Sequence, residues 1–104
     1  AFTVPVVFLA PVAPVLTLAK MINTTDALIN WAASVADNAG HCAATAYLVE
    51  KSTDGTAYTY EKVVTATEVY VVIGSNTRYR IVPFGDAGQG APLSILVSAF
   101  TPAS

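Results

Sequence analysis

The sequence predicts an all-β fold, an antiparallel sandwich of short strands in one domain, and three observations carry that prediction. Stretches rich in Val, Ile, Thr and Tyr recur along the 104 residues, the composition of strands on a half-buried pleated surface. Polar turns separate them, among them Asn23-Thr24-Thr25-Asp26, Asp54-Gly55 and Gly74-Ser75-Asn76, where Gly, Asn and Asp supply the backbone freedom and local hydrogen bonds that turns need. No stretch keeps a helical period for long: Ala32-Ala33-Ser34-Val35-Ala36 begins one, and Asp37-Asn38-Ala39-Gly40 breaks it. A chain of 104 residues buries a core without help from metal or disulfide.

Residues 2–9 are apolar and favour extended structure, and Pro5 has no N–H for a central ladder position, so they read as an edge strand or an arm. The stretch is interrupted by Pro5 and Pro11, lacks a basic leading region, is too short to span a bilayer and does not read as an intact signal peptide. Residues 1–13 are therefore expected to form an apolar N-terminal arm and residues 14–104 the domain. Residues 15–19 give a first strand. In the second, Ala27, Ile29 and Trp31 share one face, which sends Trp31 to the core. Residues 32–44 are a long loop. The central hairpin spans residues 47–60, with Tyr47, Val49 and Lys51 on one face of its first strand and Tyr58 and Tyr60 on its second. Residues 67–73 make a buried strand and 78–84 the next, in which Pro83 is expected to cost a ladder bond and to end or bulge the strand. A glycine-rich connection, 85–90, leads to a last strand at 94–100, seven strands in all.

Composition narrows the function. Charged residues make up 12% of the chain and apolar ones 54%, against a usual charged share of about 25%. Either neighbouring subunits or domains cover that surface, or it is a Thr-, Ser- and Ala-rich secreted one. Five scattered Lys and Arg with a net charge of -2 cannot track a phosphate backbone, which excludes nucleic acid as the expected partner. Cys42 is the single cysteine, so no disulfide forms within the chain and no Cys-rich zinc site is available. His41-Cys42 is the one pair with nucleophile chemistry, but no carboxylate orienter is expected beside it; Cys42 reads as a small buried residue or an intermolecular thiol. The seven acidic residues are dispersed, which gives no pair for acid–base work. No lysine and no helix follow the glycines of 85–90, which argues against a phosphate cradle. No catalytic, metal or cofactor site is expected, and the chain reads as no enzyme. Tyr58, Tyr60 and Tyr70 either line an outer face that binds protein or sugar, or fill the core and shield its edge. Asn23-Thr24-Thr25 matches the glycosylation acceptor pattern, which matters only in a eukaryotic secretory pathway.

From about residue 14 to residue 101 the chain resembles the fibronectin type III family. Ile29-Asn30-Trp31 is similar to the family's second strand with its core tryptophan, and Tyr47-Leu48-Val49 to its third strand with its tyrosine. Ile73-Gly74-Ser75-Asn76-Thr77-Arg78-Tyr79 has the spacing of the family's Leu-to-Tyr corner. By that resemblance Tyr79 is the corner tyrosine, whose hydroxyl bonds back to the chain upstream. Gly88-Gln89-Gly90-Ala91-Pro92-Leu93-Ser94, with Val97, Ala99 and Thr101, looks like the last loop and strand. Two features depart from the pattern: the strand after Tyr79 reaches the glycine loop early, and Pro83 stands where a small strand residue is usual. The resemblance implies a seven-stranded antiparallel immunoglobulin-like sandwich with an extended N-terminal arm. It also implies a non-enzymatic structural or interaction module. The setting expected from it is an extracellular, cell-surface or virion assembly, such as a bacterial surface polymer or a phage particle, in which copies of the chain or neighbouring subunits are the partners. Its contacts would come from the arm, through Phe2, Val4, Val6, Phe8 and Leu9, and from Tyr58 and Tyr60. The alternative is a ligand- or carbohydrate-binding accessory or adhesion domain of a larger secreted protein. The Arg-Gly-Asp adhesion triplet that some family members use is not carried over, because Phe84-Gly85-Asp86 lacks the arginine.

Overall fold

In the computed structural model, which describes residues 9–102, the chain forms strands β1 (Val15–Met21), β2 (Asp26–Ala32), β3 (Ala46–Ser52), β4 (Thr59–Val64), β5 (Glu68–Val72), β6 (Arg78–Gly85), β7 (Gly88–Gln89) and β8 (Leu93–Leu96). A short 3-10 turn, Val97–Ala99, follows. One antiparallel sheet has the order β1-β2-β5; the other runs β4-β3-β6, with β7 and β8 both paired to the far side of β6. The two sheets pack face to face because alternate residues are apolar: Ala27, Ile29 and Trp31 on β2, Val69 and Val71 on β5, Tyr47 and Val49 on β3, Tyr79 and Ile81 on β6 and Ile95 on β8 form one buried core. Trp31 meets Tyr47 edge-on at 5.3 Å between ring centroids, and the Tyr47 hydroxyl accepts the Ser34 N–H at 3.1 Å. That bond anchors the long loop after β2 to the core.

The corner tyrosine is where the resemblance puts it. Tyr79 donates its hydroxyl to the Val72 carbonyl at 3.0 Å and accepts from Asn76 Nδ2 at 3.3 Å, tying β6 to the end of β5 in the other sheet. Burial raises its pKa above 10.0, partly offset by the Asn76 bond.

The strand count is eight, because Gly88–Gln89, inside the expected connection, pairs with β6 as a strand of its own, while the expected last strand stops at Leu96. Gln89 sits opposite Phe84 and Leu93 opposite Ile81, so the partner chain spends one residue more than β6 over the same stretch. The extra residue falls at Ala91-Pro92, where proline offers no N–H to a ladder. Beyond Leu96 the chain turns instead of continuing to residue 100: Phe100 donates to the Val97 carbonyl at 3.0 Å, and its ring drops into the core 6.4 Å from Tyr79. Thr101 then pairs with β1, donating to Ala19 at 3.0 Å and accepting from Met21 at 2.8 Å. The chain end thus crosses from one sheet to the other.

Pro83 neither ends nor bulges β6, whose pairing with β3 runs unbroken from Phe84 to Arg78. Its carbonyl accepts the Gly90 N–H at 2.8 Å, and the N and O of a strand residue face the same neighbour. The missing donor therefore faces the β7 side, where it is the partner that gives way.

Phe2, Val4, Val6 and Phe8, with most of the expected arm, lie outside the described residues. Leu9 forms a parallel bridge with His41, donating to Gly40 and accepting from Cys42, both at 2.9 Å. Pro11 is fully buried. A Cβ on Gly90 would lie 2.8 Å from the Pro11 carbonyl carbon, and one on Gly85 would lie 2.5 Å from Cys42 Sγ. Gly85 and Gly90 are therefore a seat for the incoming chain at Pro11 and for Cys42-Ala43, which approach too closely for any side chain.

Candidate functional site

Three surfaces of this frame carry the residues that sequence reasoning singled out. The first is the outer face of β4-β3-β6. Register sets Tyr60, Glu50, Arg80 and Ser94 in one row across it and Val63, Leu48 and Val82 in the next. Arg80 grips the Glu50 carboxylate with Nε at 2.8 Å and Nη2 at 2.7 Å, while its guanidinium lies 4.0 Å over the Tyr58 ring. Tyr58 is thereby half-buried and committed to the domain's own packing, whereas Tyr60 is 65% exposed beside Val63 at 48%. Tyr70 is exposed too, but on β5 in the other sheet. The three tyrosines do not make one cluster.

The sheet edges are the second surface. Val72 and Tyr70 turn their carbonyls away from β2, and both are covered from the opposite sheet, by the Tyr79 hydroxyl and by Lys62 Nζ at 3.2 Å. Lys62 sits on β4, whose pairing with β3 is bulged between Val49 and Glu50. The last part of β1 is occupied by Thr101, and β8 has 4 residues with Pro92 just before it. An inward-reaching lysine, bulges, shortness and proline are the devices that keep an edge from accepting another strand.

The third surface is the pole where Leu9 enters. Asp37 accepts the main-chain N–H groups of Ala39 and His41, each at 3.0 Å, and its two oxygens lie 3.0 and 2.9 Å from His41 Nδ1. The His41 N–H above all, then its imidazole, holds the Asp37 carboxyl below the usual 3.8. A carboxylate orienter is therefore present, against expectation. The spacing from Asp37 to His41 was the available signal, but only a curled loop brings the two together. The half-buried Cys42 thiol lies against Gly85. Beside His41, an open groove of about 400 Å³ is lined mainly by Leu9, Pro11, Val12, Gln89 and Gly90. Among the described residues no group of three or more His, Cys, Asp or Glu is placed to hold a metal ion, and no helix is long and apolar enough to cross a membrane.

Two sheets joined at a tyrosine corner over a tryptophan core define an immunoglobulin-like β-sandwich of the class used for structure and interaction. Within that class the fold is that of fibronectin type III domains. A human fibronectin type III domain, the fourth of its protein, is 27% identical with a TM-score of 0.66, over 90% of this chain and 81% of that one. A mutant domain named FN3tt is 18% identical with a TM-score of 0.61, over 81% of this chain and 90% of that one. The domain from human collagen XX is 16% identical with a TM-score of 0.57, over 92% of this chain and all of that one. No protein-family model matches the sequence, and no curated protein does.

Proposed function

We propose that this domain is a non-enzymatic module that holds a neighbouring protein chain, a further copy of itself or an adjoining domain, through the apolar segment before Leu9 and the outer face around Tyr60. The observation that carries the reading is the pairing of exposed apolar side chains with internally spent charge. Tyr60, Val63, Tyr70 and Val72 stand 48–65% exposed, while Glu50, Arg80, Lys51 and Glu61 are committed to one another across neighbouring strands. Apolar area that the domain leaves in water is released when a partner covers it. The blunted edges favour side-chain docking on that face over addition of a strand. Phe2, Val4, Val6 and Phe8 recur at alternate positions in sequence, and Leu9, 48% exposed, fixes the pole at which that segment joins the domain. Entry at this pole and exit of Thr101 at the opposite one suits a unit set in line with others. An extracellular or virion setting rests on the resemblance alone. A sugar platform is the weaker reading, because Arg80 covers Tyr58 and leaves Tyr60 without an aromatic companion.

The test is the mass in solution by light scattering, across a concentration series, for the full chain and for a form starting at Leu9. Starting later would remove Pro11 and damage the fold itself. Association of the full chain that weakens in the shorter form and in Tyr60→Ser supports the reading. Association unaffected by either change refutes this assignment of the contact, and a monomer throughout refutes self-association.

A further inference from the structure

At the pole opposite Leu9, the side chain of Arg78 runs along the outer face of β6 beneath the loop that joins β3 to β4. Gly55, at φ +80, lies flat on the guanidinium; a Cβ there would stand 3.2 Å from Nε and 3.3 Å from Cζ. Among the described residues Arg78 Nε is buried without an acceptor, and the ion pairs there are His41–Asp37, Lys51–Glu61 and Arg80–Glu50, none of which includes Arg78. A guanidinium carries its donors in a rigid planar fork and keeps its charge. Its neighbour Arg80 shows what such a fork takes when it can, a carboxylate gripped by two nitrogens.

Arg78 opens onto a groove of about 380 Å³ walled by Asp54, Asn76, Thr77, Leu96, Val97 and Ser98. Most of the polar wall is already engaged. Asn76 Nδ2 donates to Tyr79, Thr77 Oγ1 donates to the Thr53 carbonyl at 3.0 Å, and Asp54 Oδ1 accepts from Ser52 Oγ, Thr56 N–H and Ala57 N–H. The unmatched group is the cation, flanked by the apolar edges of Leu96 and Val97 and by the Ser98 hydroxyl.

We propose that this groove seats a carboxylate presented by a partner protein, as an acidic side chain or a chain end, with its two oxygens on the outer Nη1/Nη2 end of the Arg78 guanidinium and its aliphatic carbons against Leu96 and Val97. Selectivity comes from the carbons: the aliphatic stem of a carboxylate meets Leu96 and Val97, which inorganic phosphate cannot do, while Asp54, held ionised by the loop amides, lowers the attraction of the groove for any anion. The site lies at the other pole from the segment before Leu9 and does not depend on the function proposed above.

The test is a ¹H–¹⁵N NMR titration of the full chain that follows the Arg78 Nε–H and the Val97 and Ser98 amides. The probes are N-acetylglycine for a chain end, the α-amide of N-acetylglutamate for a side chain, and inorganic phosphate. Either carboxylate should shift these resonances to saturation, and the tighter of the two names the source. Arg78→Lys, which keeps the charge and loses the fork, should weaken the response by about tenfold. Asp54→Asn, which keeps an Oδ1 acceptor for the loop, should tighten it. The proposal is overturned if neither carboxylate shifts these resonances, if phosphate binds as tightly, or if Arg78→Lys or Asp54→Asn, with a native-like spectrum, binds as the parent does.

Discussion

Replacing Tyr79 with Phe removes one oxygen and leaves the ring packed against Phe100. The lost oxygen donates to Val72 at 3.0 Å and accepts from Asn76 at 3.3 Å. An ordinary intramolecular hydrogen bond is worth about 1 kcal/mol net, and leaving a shielded partner unmatched adds a cost of similar size. Val72 is 64% exposed, so water reaches its carbonyl once the hydroxyl is gone and the second cost is only partly incurred. The expected loss is about 1–2 kcal/mol, which for a domain of this length lowers Tm by roughly 5–10 °C. The assay is urea unfolding followed by the fluorescence of Trp31. The same substitution has a signature in pH. The hydroxyl's pKa is raised in the fold, so the folded state holds its proton more firmly than the unfolded one. The parent's stability is then constant below the unfolded tyrosine value and falls as pH rises from there through the folded value. Tyr79→Phe lacks that alkaline decline, and the gap between the two proteins should narrow above pH 10. A loss under about 0.5 kcal/mol, with parallel pH curves, would refute the idea that this bond pins the two sheets together.

Two further outcomes test the seat of the incoming chain. Gly90→Ala should destabilise by about 1–3 kcal/mol, because its Cβ meets the Pro11 backbone and neither side can yield; urea unfolding of the full chain measures it, and an unchanged midpoint would displace Pro11 from its position. Asp37→Asn should alter the acid limb of stability: a carboxyl held below its ordinary value contributes above the unfolded pKa and loses that contribution as pH falls through the folded one. Unfolding midpoints between pH 6 and pH 2 should therefore fall less steeply in the variant, and hydrogen exchange at Ala39 and His41 should quicken.

The parts of the fold that could be read along the chain are those whose cause is local. Alternation in Ala27, Ile29 and Trp31 places the tryptophan without reference to anything distant, and Asp54-Gly55 turns by its own chemistry: the carboxylate accepts two loop N–H groups and the glycine takes φ +80. Pro83 was misleading because a proline's cost depends on which neighbour its nitrogen faces, a property of pairing. Gly85 and Gly90 read as parts of a connection because nothing in their own sequence announces Pro11, which lies far back along the chain. The short strand at Gly88–Gln89 has the same origin, since it is defined by its pairing with β6. Site residues fared similarly. Tyr60 is exposed as an outer-face reading requires, but Tyr58 is claimed by Arg80, a contact that exists only once β3 and β6 lie side by side. Arg78 drew no notice in sequence because its isolation is a matter of which acidic residues do not reach it.

The crossing of the chain end from β8 to β1 has a mechanical consequence. Thr101 runs parallel to Lys20, so a pull on the segment after it, opposed by a pull at Leu9, drags Thr101 lengthwise along β1. The bonds to Ala19 and Met21 are then strained together in shear instead of being peeled apart singly, and Phe100 must be drawn out of the core before β8 comes under tension. Under load the domain is fastened at its exit by a bolt that spans both sheets.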